Sequence, residues 1–184
     1  MVSETVSVTC GKRLMIAPLA ALPALARTLP ADAHAIGLLG PDMAHPPLPL
    51  SDRQRLKLAF HDIAAPRPGL RAASAEQARR LVTFARAWAR SPSSLLLLYC
   101  WMGVSRSPAA AFIAQCALRP EADELALARQ LRTLAPFATP NARLVALADA
   151  ELERGGRMRA AVRAIGRGAH TDSGRPFVWP VSDT

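Results

Sequence analysis

The sequence predicts an α/β fold: a central, mostly parallel sheet flanked by helices. Apolar runs of strand length alternate with helical periodicities through the first hundred residues, and helical patterns dominate afterwards. One run, Leu95 to Tyr99, has no polar alternation at all, as expected of a strand covered on both faces in the middle of a sheet.

Each element follows from its residues. Leu14 to Ala17 reads as a short strand, and Ala20 to Thr28 as a short helix with Pro23 in its first turn, where a missing N–H costs nothing. His34 to Leu39 and Leu56 to Phe60 are two further strands, separated by turn chemistry at Gly40, Pro41 and the prolines beyond. Ser74 with Gln77 three residues on is a capping-box pattern, and Ala78, Leu81, Val82, Ala85 and Trp88 then share one helical face. After the turn-like Ser91 to Ser94 comes the central strand, Leu95 to Leu98. An Ala-rich helix runs from Ser107 to Leu118, and Pro120 is expected to open another that carries Leu125, Ala128 and Leu131. Thr139 and Pro140 form a cap and first-turn pair for a helix with the stripe Leu144, Val145, Ala148 and Leu152, which Gly155 and Gly156 stop. Residues 1–168 are expected to form one domain, and 169–184 a flexible C-terminal tail.

Composition bounds the function. With 184 residues, 51% of them hydrophobic, the chain can bury a sizeable core, which excludes a disordered segment or a disulfide-stapled mini-protein. Its three cysteines, Cys10, Cys100 and Cys116, make neither a disulfide framework nor a zinc spacing, and they suit a reducing compartment. The net charge is +9, almost all of it from arginine, and such a surface attracts anions without saying which. The longest apolar run, Leu95 to Val104, is too short to span a bilayer, and no convincing secretory signal precedes it, so the expected location is the cytoplasm. Trp88, Trp101 and Trp179 do not interleave with basic residues as a base-stacking platform would, and nucleic acid is not an expected partner. Arg154, Arg157, Arg159, Arg163 and Arg167 give the C-terminal region a basic face around Met158, Val162 and Ile165, read as a solvated helix or a partner-binding or membrane-surface one.

The segment LLLLYCWMGVSRSPAAA carries the chemistry. A buried strand ends at Cys100, five residues follow, and Arg106 and Ser107 open a helix. Such a loop can turn the backbone N–H groups of Trp101, Met102, Gly103, Val104 and Ser105 toward a bound dianion, with the helix N-terminus adding its partial positive charge. Gly103 lets the loop curl, and Arg106 offers a planar fork for two phosphoryl oxygens. The same field favours thiolate over thiol, which makes Cys100 a candidate nucleophile.

YCWMGVSRSP resembles the HC-x2-G-x2-R-[ST] loop of the cysteine-dependent protein tyrosine phosphatases, and the SRSP ending is closest to their small dual-specificity branch. LKLAFHD and the amphipathic helix after it resemble the strand, general-acid loop and helix that precede the loop in that family, and the LR of QLRTL and the PN of ATPNARL are similar to its distal helices. The resemblance covers roughly Leu14 to Leu152 and implies the cysteine-phosphatase fold. It further implies hydrolysis of a phosphorylated protein or a small phosphomonoester through a cysteinyl-phosphate intermediate, with no metal or other cofactor. Cys100 would attack phosphorus, Arg106 clamp the transferring group, the Ser107 hydroxyl assist departure of the thiolate, and Asn141 buttress the loop.

Asp62 would be the general acid. Asp42, in GPDMAHPP, competes with it; Asp62 is favoured because the strand before it is expected to lie beside the central one, so that its end faces the loop. Tyr99 departs from the family pattern, standing where histidine is usual, and this motivates an alternative: a phosphate- or phosphoprotein-binding module with little turnover. A rhodanese-type cysteine loop is disfavoured by the placement of Gly103 and Ser107.

Overall fold

The structure, a computed structural model, describes residues 11–181; Cys10 and the last three residues of the expected tail lie outside them. Five strands form one sheet: β1 (Lys12–Pro18), β2 (His34–Leu39), β3 (Arg55–Ala59), β4 (Leu95–Cys100) and β5 (Phe177–Val181), in the order β3-β2-β4-β1-β5. The first four are mutually parallel, and β5 runs antiparallel to β1 at the edge. In register, Cys100 is flanked by Pro18 on one side and Leu38 on the other, so the loop that follows it leaves from the middle of the sheet. That is where open α/β sheets bind ligands.

Six α-helices complete the molecule among the described residues: α1 (Leu22–Leu25), α2 (Ala75–Arg90), α3 (Arg106–Leu118), α4 (Glu124–Leu134), α5 (Ala142–Glu151) and α6 (Arg157–Ile165). Strand alternation divides the core in two. Leu14, Ile16, Ile36, Leu38, Leu96, Leu98 and Cys100 join the core shared with α2 to α6. Ala17, Ala35, Leu39, Leu97 and Tyr99 face a smaller cluster closed by Leu22 of α1 and by Leu48. Helix α3 is central: every residue from Arg106 to Ala117 is buried, which explains an Ala-rich sequence with no polar face.

Several sequence expectations are corrected. The helix expected over Ala20 to Thr28 is only one 3-10 turn and one α turn. Pro120 does not open α4; Asp123 caps it, accepting from the N–H groups of Leu125 and Ala126. Helix α5 is capped by Asn141, so Thr139 and Pro140 remain outside it. It ends at Glu151, before the glycines, and Gly156, at φ +91°, starts α6. The tail expected to be flexible supplies β5, where Trp179 and Val181 are buried in alternation with exposed Val178 and Pro180. Proline is tolerated there because β5 is an edge strand. No helix among the described residues is long and apolar enough to cross a membrane.

Candidate active site

The loop from Cys100 to Arg106 is held from outside by its carbonyls. Leu19 N donates to Trp101 O at 3.1 Å, Gly174 N to Met102 O at 2.8 Å, Thr139 N to Val104 O at 2.8 Å and Asn141 N to Ser105 O at 3.3 Å. No described peptide bond is cis, so each outward carbonyl turns the N–H of the next residue, Met102, Gly103, Ser105 and Arg106, to the opposite, inner side. Gly103 has φ +69°, and a Cβ there would come within 2.7 Å of Pro18 N; the turn admits only glycine.

Around this cradle stand the side chains. Cys100 Sγ lies 3.2 Å from Ser107 Oγ. Arg106 is almost wholly buried and donates from Nη1 to Phe60 O at 3.0 Å. Its Nε is buried without a hydrogen-bond partner, 3.8 Å from Asp62 Oδ2. A buried guanidinium N–H without a hydrogen bond is costly, and the 3.8 Å ion pair with Asp62 leaves that donor open to an oxyanion. Trp101 and Met102 are exposed and form an apolar rim.

Asp62 reaches the loop, though not by the expected route. Strand β3 pairs with β2 and not with β4, so the strand before Asp62 is one place removed from the centre. The side chain closes the gap: Oδ1 accepts from Ser105 Oγ and from Asn141 Nδ2, both at 2.7 Å. Asn141 thus ties three elements together, since its Oδ1 also caps α5 through Leu144 N at 2.9 Å. Asp42 is exposed in the turn after β2. The long loop between Asp62 and Ser74 is closed at its base by His61, which accepts from Arg71 N at 2.8 Å and donates its own N–H to Arg71 O at 2.7 Å.

Cys116 stands apart. It lies ten residues beyond Arg106 on α3, about 15 Å along the axis, which is too far to resolve an oxidised Cys100. Burial pushes its thiol up to about 12.

No family model matches the sequence, and no curated protein does. Solved structures do match. Human DUSP28 is 18% identical with a TM-score of 0.55, over 77% of this chain and 92% of its own. A mouse candidate dual specificity phosphatase complexed with zinc tungstate is 19% identical with a TM-score of 0.57, over 88% and 96% respectively. The chain has the dual-specificity phosphatase fold.

Tyr99, where the resemblance implies a histidine, turns away from the loop, its hydroxyl 3.0 Å from His45 Nδ1 on the other face of the sheet. Burial raises its pKa against the opposing hydrogen bond and charge of Arg55. Burial lowers the His45 pKa, and the cations Lys57 and Arg55 act in the same direction. Sequence reasoning missed this pair, and it missed Gly174, which braces Met102. The alternation of Phe177, Trp179 and Val181 after a glycine was the available signal for the second.

Proposed function

We propose that the protein hydrolyses phosphomonoesters through a cysteinyl-phosphate intermediate. The observation that carries the reading is the buried Arg106, whose Nε has no hydrogen-bond partner, at the end of the loop that Cys100 begins and whose amides are turned inward by bonds to its carbonyls. The edge of the fork opposite the Phe60 contact would take two phosphoryl oxygens, and the amides the remaining charge, in the role a metal ion plays elsewhere. Cys100 Sγ attacks phosphorus, the ester P–O bond breaks, and Asp62 gives its proton to the departing oxygen. In the second half Asp62 takes a proton from the attacking water, the P–S bond breaks, and Ser107 Oγ, at 3.2 Å, stabilises the departing thiolate. The tungstate named with the mouse neighbour is a tetrahedral oxyanion, as is the phosphate proposed to occupy this cradle.

A second reading, a phosphate-binding module with little turnover, is favoured by one observation: Tyr99 is engaged with His45 and supplies no imidazole beneath the loop. Hydrolysis of an aryl phosphate separates the two. Steady turnover, inhibited competitively by vanadate and unaffected by chelators, is expected. Binding of vanadate without any turnover favours the module, and the absence of both removes the phosphate site.

A further inference from the structure

A groove of about 590 Å³ opens beside the loop, between α5 and α6. Its floor is apolar, with Val145, Leu147 and Val162, and its rim carries Arg143, Arg159, Arg163 and Arg167; no acidic side chain is among the described residues lining it. The groove also touches Ala64, two residues beyond Asp62, and Thr139 and Pro140. Thr139 N is bonded to Val104 of the loop, so groove and cradle share a wall.

The arginines of this region divide into two sets. Arg154 and Arg157 are bound to Glu124 at 3.0 and 3.1 Å, and Arg154 also donates to Cys116 O and Pro120 O; these two lock α6 onto the molecule. Arg159 and Arg163 lie on the groove, one turn apart on the same helix face and exposed. Nothing acidic lines the groove to neutralise them. Helix α6 is held at both ends, by Asp149 on the N–H groups of Gly156 and Met158 and by Arg132 on the carbonyls of Ile165 and Gly166. The wall is therefore set before any ligand arrives.

Resting on the phosphatase reading, we infer that this groove docks an acidic stretch of a phosphorylated polypeptide substrate, so that Asp or Glu residues flanking the phosphorylated position raise its turnover. Arginine forks bind carboxylates in pairs, and the apolar floor accepts the stems of the flanking side chains. An anionic membrane fits less well. The site is concave, and apart from Val162 on the groove floor the apolar residues of α6 are already spent: Met158 and Ala161 are buried, and Ile165 packs against the core.

The test uses the full chain and two phosphotyrosine peptides, identical except that Glu flanks the phosphotyrosine in one and Gln in the other. The unmodified protein should hydrolyse the Glu peptide with kcat/KM at least about tenfold higher. The double variant Arg159→Ala with Arg163→Ala should bring the two within about twofold, while turnover of an aryl phosphate is unchanged. A control, Arg27→Ala with Arg53→Ala, removes the same charge from exposed positions outside the groove and should keep the preference. Equal turnover of the peptides by the unmodified protein overturns the proposal. So does loss of preference in the control, which would assign the effect to net charge, or stimulation by anionic vesicles without any peptide preference. If the phosphatase reading itself fails, aryl phosphate is not hydrolysed. Fluorescence anisotropy of the two labelled peptides then reads the groove alone: about tenfold tighter binding of the Glu peptide, lost in the groove variant, supports it, and equal binding overturns it.

Discussion

Two consecutive residues of β4 meet opposite surroundings. Cys100 belongs to the face covered by five helices, with Ser107 of buried α3 against its sulfur. Tyr99 belongs to the face closed by one 3-10 turn, one α turn and the proline-rich segment after β2, where its hydroxyl lies 3.0 Å from His45 Nδ1 and also meets Arg55. The difference teaches how a small sheet protein separates tasks. The thickly covered face fixes the positions of reactive groups, because α3 starts at the loop and the cap of α5, Asn141, is bonded to it. The thin face supports the strand from behind and meets the cradle at its edge, where Leu19 N donates to Trp101 O.

Variants on the two faces should therefore differ in kind. The largest contrast is Cys100→Ser against Tyr99→Phe. The first should abolish hydrolysis while vanadate still binds, since serine keeps the cradle but is a poor nucleophile; the second should keep turnover within about threefold of the parent. If Tyr99→Phe is as inactive as Cys100→Ser, the thin face takes part in the chemistry and the separation fails.

Next in size is the pair of aspartates, one on each side of the same divide. Asp62→Asn should slow a phenyl-type phosphate by about 10² to 10⁴-fold and a nitrophenyl-type phosphate much less, because a good leaving group departs without its proton. Asp42→Asn, in the exposed turn after β2, should leave both rates unchanged. Exchanged behaviours would move the acid to the thin face. Arg106→Lys should cost more than about tenfold, or roughly 1.4 kcal/mol, because an ammonium cannot both hold Phe60 O and offer a two-pronged edge. A lysine variant nearer to the parent would show that the arginine does not clamp the phosphoryl group.

The smallest effect is on stability. Tyr99→Phe removes a buried hydroxyl partner and should lower unfolding free energy by about 1 to 2 kcal/mol in urea titrations at neutral pH. The pH dependence has a definite sign. Burial holds the folded His45 below its usual value near 6.5, so the unfolded chain takes up the proton first. The contribution of neutral His45 is complete above that value and is lost as the pH falls from there toward the lower folded value. His45→Gln should flatten this part of the acid limb of stability against pH while leaving activity above pH 7 intact.

Much of this was legible in the sequence. His34 to Leu39 forms a strand over the residues expected, and the Ser74 and Gln77 capping box is present with both of its reciprocal bonds. These are local signals, decided by periodicity and by contacts three residues apart. The cysteine loop was legible for the same reason, since strand, turn and helix start are contiguous. What depended on distant partners was not. Asp123 and Asn141 displaced the expected helix starts because each offers a side-chain acceptor to free N–H groups, where a nearby proline only lacks a donor. The tail was misread because β5 is stabilised by pairing with β1, more than 150 residues earlier in the chain, a partner no local pattern reveals. The strand-end reasoning for Asp62 chose the residue that touches the loop but assumed the wrong neighbour for β3, which is set by sheet order.

Ribosomal synthesis gives the contact between Gly174 and Met102 a meaning in time. A nascent chain displays the whole motif, Cys100 to Ser107, well before the residue that braces Met102 exists. The bond from Leu19 can form early, those from Thr139 and Asn141 later, and the one from Gly174 last, together with the pairing of β5 on β1. The thiol is thus made long before its cradle is complete, so a chain that has not yet reached Gly174 carries the whole motif without one of the four bonds that hold the loop.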